Sequence, residues 1–464
     1  MLDVKWILDN QETVQTAANQ KGIAVSVAEL AAAQQKKLEL LREVELLRQE
    51  RNTLSQRVAA LVREERAQTA ERWQTAHKEE RPDHEPPEGS DSVAQTPALS
   101  DVLKDNVKQI NNRLTLLETE LSETQHTVDR LLLRMPNIVS PDSPVGRSDA
   151  DNVEVRKVGA PREFDFAYRD HVSLGELHQM IDIPRGVKTG GTRSYFLRGA
   201  GVLLHRAVQQ LAVDLLVEAG FTLLEVPLMV TSDVMTNAGF FPLGEDQTYK
   251  LEGENKWLVG TSEASLVSYF GGEMLDLSQP VKLAAASTCF RSEVGSSGRD
   301  VQGLYRVHQF AKVEQVVLCQ ADPELAERLL QEITSNAEQL LQLLELPYRV
   351  MAVCTGDMSQ KTYKQYDIET WMPSRNAYGE THSSSSLLDF QARRAMLRYR
   401  GEDGRPVYCY TLNNTAVASP RILIPLLENH QEEDGAIHIP PALRPYMNGA
   451  ERLVPQGARS RPLR

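Results

Sequence analysis

Two apolar seams dominate the first third of the chain. Leu40, Val44, Leu47, Leu54, Val58 and Leu61 recur in alternating steps of four and three, with Arg51 as the polar interruption. A second seam runs through Leu103, Val107, Ile110, Leu114, Leu117, Leu121, Val128 and Leu131, interrupted at Thr124, and stops at Met135-Pro136. Such alternation lays one narrow stripe along an α-helix, as in a coiled coil. Two helices of similar length joined by a spacer fold back most simply as an antiparallel hairpin, about 50 Å long at roughly 1.5 Å per residue. So narrow a stripe cannot wrap a core, so the arm projects into solvent. A dimerisation coiled coil is the alternative that the pattern leaves open.

The spacer, residues 65–100, carries eight acidic and four basic side chains and includes ERPDHEPPEGSDSVAQTP, with four prolines. It reads as a flexible, disordered and dispensable tip over about 66–100, the first helix being able to extend as far as about Glu80. The expected division is an arm over 1–135 and a second domain over 136–464.

After Pro136 the pattern becomes mixed. Residues 198–219 form an amphipathic helix with Leu204, Val208, Leu211 and Leu215 on one face, ending at Gly220. FTLLEVPLMV follows as a strand with Pro227 near its middle, which suits an edge or interface strand. Residues 323–345 are again helical, capped by the acids of DPELAE. The strand candidates KLAAASTCF, YRVHQFAKVEQVVL, DIETWMP and VYCYTLNN are separated by turns and loops instead of regular helical crossovers. The fold class is therefore α+β, with a mainly antiparallel sheet flanked by helices.

Composition narrows the partners. The 464 residues are 41% hydrophobic, as in a globular chain, and no window reads as a membrane span of roughly 18 apolar residues. With charges from position 3 onward, the N-terminus reads as that of a cytoplasmic protein without membrane partners. Cys289, Cys319, Cys354 and Cys409 lie 30 or more residues apart, which argues for reduced, buried thiols and against zinc. A net charge of −13 gives no sign of nucleic acid. No G-x-G-x-x-G follows a strand and no G-x-x-x-x-G-K-[ST] occurs, so a bound nucleotide is not held by a Rossmann or P-loop scheme.

Candidate chemistry gathers in FRSEVGSSGRDVQGLYRVHQF, Phe290 to Phe310. It reads as strand, Gly/Ser-rich loop bearing Arg299 and Asp300, and returning strand. A guanidinium at the base of such a hairpin suits bidentate contact with a phosphate or carboxylate, and an aromatic on the return can stack on a planar base. An ordinary surface hairpin with a salt bridge fits this segment equally well.

The segment does not stand alone. The helix and strand around Pro227, the F-R-S-E hairpin and LNNTAVASPRILIPLLENHQEEDG resemble, in order, the three signature motifs of class II aminoacyl-tRNA synthetases. The coiled-coil hairpin before them narrows the resemblance to the seryl-tRNA synthetase family, bacterial type. Further matches are GTSE (260–263), RVHQFAKVEQ (306–315), GETHSSSS (379–386), LLDFQARRAMLRYR (387–400) and LRPYM (443–447). The resemblance spans essentially the whole chain. TAVASPRIL replaces the glycine-rich form many members carry in the third motif, yet keeps its arginine.

The resemblance implies a serine–tRNA ligase that activates L-serine with ATP and magnesium and transfers seryl to tRNA(Ser), and to tRNA(Sec) as well. Arg291 would contact the ATP α-phosphate and the serine carboxylate, and Arg421 the γ-phosphate. Ser292, Glu293, Val307 and Phe310 would complete the ATP site, with Glu293 at the adenine edge, Phe310 stacked on the ring and the loop 295–298 closing over ATP. Thr261 and Glu314 would hold the α-ammonium, while Glu263, Asn413 and Thr415 surround the side-chain hydroxyl. Glu380 and Ser383 would ligate magnesium. The arm would grip the long variable arm of tRNA across a homodimer, with Lys36, Lys37, Arg42, Arg48, Arg51, Arg57 and Arg63 supplying local positive charge. No side chain need act as nucleophile or general base, because the chemistry is positioning and charge neutralisation. Two alternatives are a non-catalytic synthetase-like paralogue and an amino acid:carrier protein ligase.

Overall fold

A computed structural model describes residues 1–79, 99–294 and 303–455. Packing divides the chain into two compact units, Ala28–Leu132 and Met1–Val27 with Leu133–Arg464. The first 27 residues thus group with the larger unit, whereas the expected division placed them in the arm. They form helices α1 (Val4–Asp9) and α2 (Gln11–Gln20). Lys21 fastens them there: its buried ammonium donates to the carbonyls of Ser359 at 3.3 Å, Gln360 at 3.4 Å and Thr362 at 2.5 Å.

The smaller unit consists of α3 (Val27–Glu79) and α4 (Leu99–Arg134). Leu40, Val44 and Leu47 pack with Ile110, Leu114, Leu117 and Leu121. Lys36 pairs with Glu120 at 2.8 Å and Glu43 with Arg113 at 3.0 Å, which makes the helices antiparallel. Helix α3 runs on to Glu79, into the segment 66–100 read as the tip and as far as the extension to about Glu80 that the sequence allowed. Residues 66–79 are helical, because ERAQTAERWQTAHKE is built from strong helix formers and the first proline comes only at Pro82. Residues 80–98, with the rest of the expected tip, lie outside the described residues, and α4 resumes at Leu99.

The larger unit is built on an eight-stranded sheet: β1 (Val153–Val158), β2 (Thr222–Leu223), β3 (Val281–Phe290), β4 (Gln309–Cys319), β5 (Tyr348–Ala352), β6 (Lys364–Met372), β7 (Ala377–Ser386) and β8 (Tyr410–Ser419). Their order is β1-β5-β6-β7-β8-β4-β3-β2, antiparallel except for the edge pair β2 and β3. Helices α5 (Ala200–Glu218) and α6 (Pro323–Leu343) cover one face, joining Leu204, Val208, Leu330 and Ile333 to Val313, Val317, Ile368 and Leu412. Asp322 caps α6 by accepting from the N–H groups of Glu324 and Leu325. Helix α5 is long and apolar enough to cross a membrane by composition, against the sequence reading, and its apolar face is the one spent on this core.

Two strand expectations change. FTLLEVPLMV is two short strands: β2 lies on the edge of the main sheet, and Met229–Val230 pairs with Trp257–Leu258. Pro227, which has no N–H to give a ladder, falls between them. The returning strand of the hairpin starts at Gln309, so Tyr305 to His308 stand outside the ladder. All four cysteines are free and buried.

Candidate active site

Strand alternation decides which side chains of β4 reach the site. Val313 and Val317 enter the core beneath α5 and α6, while Val316 and Leu318 join a second cluster with Leu266 and Leu283. Phe310, Lys312 and Glu314 share the parity of Val316 and so project from that second face. Across the ladder Thr415 stands opposite Glu314.

On β7 the spacing is less simple, because Glu380 and Ser383 are three apart and strict alternation would send them to opposite faces. The register corrects this: Ser383 pairs with Asp367 and Glu380 with Glu369, leaving Thr381 as a bulge residue. Asp367 and Glu369 share a face, so Glu380 and Ser383 do too. Burial, with the charge of Glu380 adding to it, pushes the Asp367 carboxyl well above its usual range.

These strands open a cavity lined by Arg291, Glu293, Val307, Phe310, Glu380, Thr415 and Arg421. The Arg291 guanidinium lies 5.2 Å from the Phe310 ring centre. Arg421 donates to the carbonyls of Tyr305 and Glu380, both at 3.1 Å, and its guanidinium stacks 4.4 Å from the Tyr305 ring. Glu293 pairs with Arg306 at 3.6 Å. Ser292 is directed elsewhere, donating to the Asp246 carbonyl at 2.7 Å, and is not part of the lining.

Below the cavity lies a buried polar cluster containing Thr261, Glu263 and Glu314. Glu314 accepts from Asn413 Nδ2 at 3.2 Å and Thr415 Oγ1 at 3.5 Å, and pairs with Lys312 at 2.5 Å. Burial raises the Glu314 carboxyl above its usual range, Lys312 opposes that rise and Glu263 adds to it. Thr261 Oγ1 accepts from the Glu263 N–H at 3.2 Å. Lys312 and Thr415 line the cavity and bond Glu314, so they connect the two levels. Among the described residues, Asn413 Oδ1 is buried without a hydrogen-bond partner. Ser383 stays beside the cavity and is not part of its lining. The loop 295–298, with Arg299 and Asp300, lies outside the described residues.

Sequence reasoning missed Lys312, Lys361, Gln391 and Tyr305. Lys312 had a signal, since it stands two residues before Glu314 on one strand. Lys361 and Gln391 had none, because each meets Glu263 from a distant part of the chain.

An antiparallel sheet with an arginine-based cavity on one face, above buried acids, is the arrangement of a class II aminoacyl-tRNA synthetase core. Residues 248–430 are matched by the family model described as the tRNA synthetase class II core domain (G, H, P, S and T), and residues 1–83 by that of the Seryl-tRNA synthetase N-terminal domain. A curated serine–tRNA ligase from Deinococcus radiodurans is 42% identical over 98% of this chain and 99% of its own length. The seryl-tRNA synthetase of Pyrococcus horikoshii, solved with ATP, superposes with a TM-score of 0.83 at 33% identity, covering 98% of this chain and all of that one. A cytoplasmic serine–tRNA ligase from Naegleria fowleri, solved with AMP, gives 0.79 at 26% identity and covers 98% of this chain and 99% of its own. The chain belongs to the seryl-tRNA synthetase family. Similarity of this extent, arm included, favours a ligase over the carrier-protein and non-catalytic alternatives.

Proposed function

We propose that the chain activates L-serine with ATP and transfers it to tRNA(Ser), using the residues gathered around the cavity and its floor. A serine carboxylate oxygen attacks the α-phosphorus, the bond to the bridging oxygen breaks, and pyrophosphate leaves behind seryl-adenylate. Arg291 neutralises charge at the α-phosphate and Arg421 at the γ-phosphate, both preorganised at one cavity. Phe310 stacks on adenine, Glu293 meets its edge and Val307 flanks them, while Ser292, turned to the Asp246 carbonyl, supports the hairpin base from outside the cavity. The terminal hydroxyl of the tRNA then attacks the adenylate carbonyl and AMP leaves.

Glu380 and Ser383 would hold magnesium, which when bound neutralises phosphate charge. Their hard oxygens face one way, and an ion that keeps several waters needs few protein ligands. The observation that carries the serine reading is Glu314, a fully buried carboxylate reached from the cavity past Lys312 and Thr415. Thr261 and Glu314 take the α-ammonium, and Glu263, Asn413 and Thr415 surround the hydroxyl. The arm, 1–135 in the sequence division, recognises the long variable arm of tRNA by backbone and shape. Homodimerisation, use of tRNA(Sec) and a cytoplasmic location complete the proposal.

ATP–pyrophosphate exchange tests the first step. With magnesium and no tRNA, serine should stimulate exchange, and threonine, alanine and glycine should not. Equal stimulation by alanine would overturn the assignment of the pocket to a hydroxylated side chain.

A further inference from the structure

Tyr305 lines the cavity and has none of the roles assigned above. Its carbonyl accepts from Arg421 Nε at 3.1 Å, and its ring centre lies 4.4 Å from the Arg421 guanidinium. A second guanidinium, that of Arg375, lies 4.3 Å from the same centre. Two cations this near one centroid cannot share a face without overlapping, so the ring is held between them. Its edge rests on Gly379: a Cβ there would come within 3.2 Å of Tyr305 Cε2 and 3.0 Å of the Met372 side chain, so a larger residue would press on the ring. The Tyr305 hydroxyl donates to the Glu380 carbonyl at 3.4 Å, the oxygen that also accepts from Arg421 Nη1 at 3.1 Å. One buried carboxylate, Glu428, fixes the backbone on both sides of this clamp. It accepts from the Ser374 N–H at 2.9 Å and the Ser374 hydroxyl at 2.8 Å, next to Arg375, and its Oε1 lies 2.8 Å from His171 Nδ1. The Leu304 N–H, just before Tyr305, donates to His171 Nε2 at 3.2 Å.

We infer that Tyr305, backed by Arg375, is a positioning residue for Arg421, which it holds ready for the terminal phosphate of ATP. This rests on the assignment of Arg421 to the γ-phosphate proposed above. An unrestrained arginine samples many rotamers, and ordering it when a ligand binds costs affinity. Here Nε and Nη1 are bonded to carbonyls and the guanidinium lies over the ring, so the ordering is completed on folding and not on ATP binding. Among the described residues Nη2 makes no hydrogen bond, which suits it to a phosphate oxygen. A nucleotide without a γ-phosphate makes no use of Arg421. The clamp therefore strengthens binding of ATP and leaves that of AMP unaltered.

The experiment measures ATP and AMP affinity, by calorimetry with magnesium, for the full chain and for Tyr305→Leu, Tyr305→Phe and Arg421→Ala. Tyr305→Leu should weaken ATP about five- to thirtyfold and leave AMP within about twofold. Tyr305→Phe keeps the ring and should stay within about threefold of the wild type for both nucleotides. Added to Arg421→Ala, Tyr305→Leu should change ATP affinity by no more than about twofold, because the group it positions is gone. A merely structural tyrosine would weaken AMP along with ATP and would still act in the Arg421→Ala background; either result overturns the inference, as does unchanged ATP affinity in Tyr305→Leu. Should Tyr305→Leu fail to fold, Arg375→Gln on the exposed side carries the test: ATP should weaken about two- to fivefold relative to AMP, and an unchanged ratio overturns the clamp. If Arg421→Ala does not itself weaken ATP relative to AMP, the assignment of Arg421 to the γ-phosphate falls and the clamp with it. A selective loss in Arg421→Ala beside an unaltered Tyr305→Leu overturns the role of Tyr305 alone.

Discussion

His382 shows how burial of one side chain becomes a property of the whole protein. It lies beside the bulge in β7, 1% exposed, with Nδ1 2.8 Å from Thr381 Oγ1, and burial pulls its pKa down to about 3. The unfolded chain takes up this proton near pH 6.5, while the folded chain resists it until about pH 3. Between those values the unfolded state binds more protons, so stability falls as the pH falls. The loss should reach about 2 kcal/mol at pH 5 relative to neutral pH. Denaturant midpoints of the wild type and His382→Gln between pH 7 and pH 4.5 check this: the wild-type curve should fall more steeply by up to one proton. Parallel curves would show that the imidazole is not held neutral.

At the scale of elements, register explains both what the sequence reveals and what it hides. Phe310, Lys312 and Glu314 are legible because a regular strand alternates, and the helical seams are legible because a regular helix repeats. The pairing of Glu380 with Ser383 is not, since it depends on Thr381 being pushed out of the ladder and no glycine or proline marks that bulge. The Lys361–Glu263 contact spans 98 residues and follows from no local pattern. Register also governs the arm. Packing Leu40, Val44 and Leu47 against Leu121, Leu117 and Leu114 carries Leu99 level with Val62, so 66–79 continue beyond the start of α4, and 66–74 are almost wholly exposed. Acidic residues outnumber basic ones in the spacer, which repels a polyanion instead of attracting it. Replacing 66–98 by a short turn should therefore close the hairpin in its own register and leave the rate of tRNA charging within about twofold. A tenfold loss would place a tRNA contact in this segment.

Across the whole molecule, the chain leaves the larger unit near Val27 and returns to it near Leu133. The matched N-terminal family region, 1–83, runs across this boundary, and sequence pattern could not reveal it, because α1 and α2 are short helices whose anchoring depends on contacts with residues far along the chain. Lys21 reaches the carbonyls of Ser359, Gln360 and Thr362, and Arg393 pairs with Asp3 at 3.3 Å. The loop that receives Lys21 also carries Lys361, so these first residues support the floor of the proposed serine site. Arm and chemistry should separate at this boundary and at no earlier one. Excising 28–132 and joining Val27 to Leu133 through a flexible linker should preserve serine-dependent pyrophosphate exchange within a few fold, because every residue assigned to ATP and serine belongs to the larger unit. Charging of tRNA should fall by at least a hundredfold, since the acidic remainder, freed of the helix that carries Arg42, Arg48, Arg57 and Arg63, offers a polyanion little to hold. Excising 1–132 instead removes the Lys21 anchor and should depress exchange itself. Equal exchange from the two deletions would show that the first 27 residues serve the arm and not the catalytic floor.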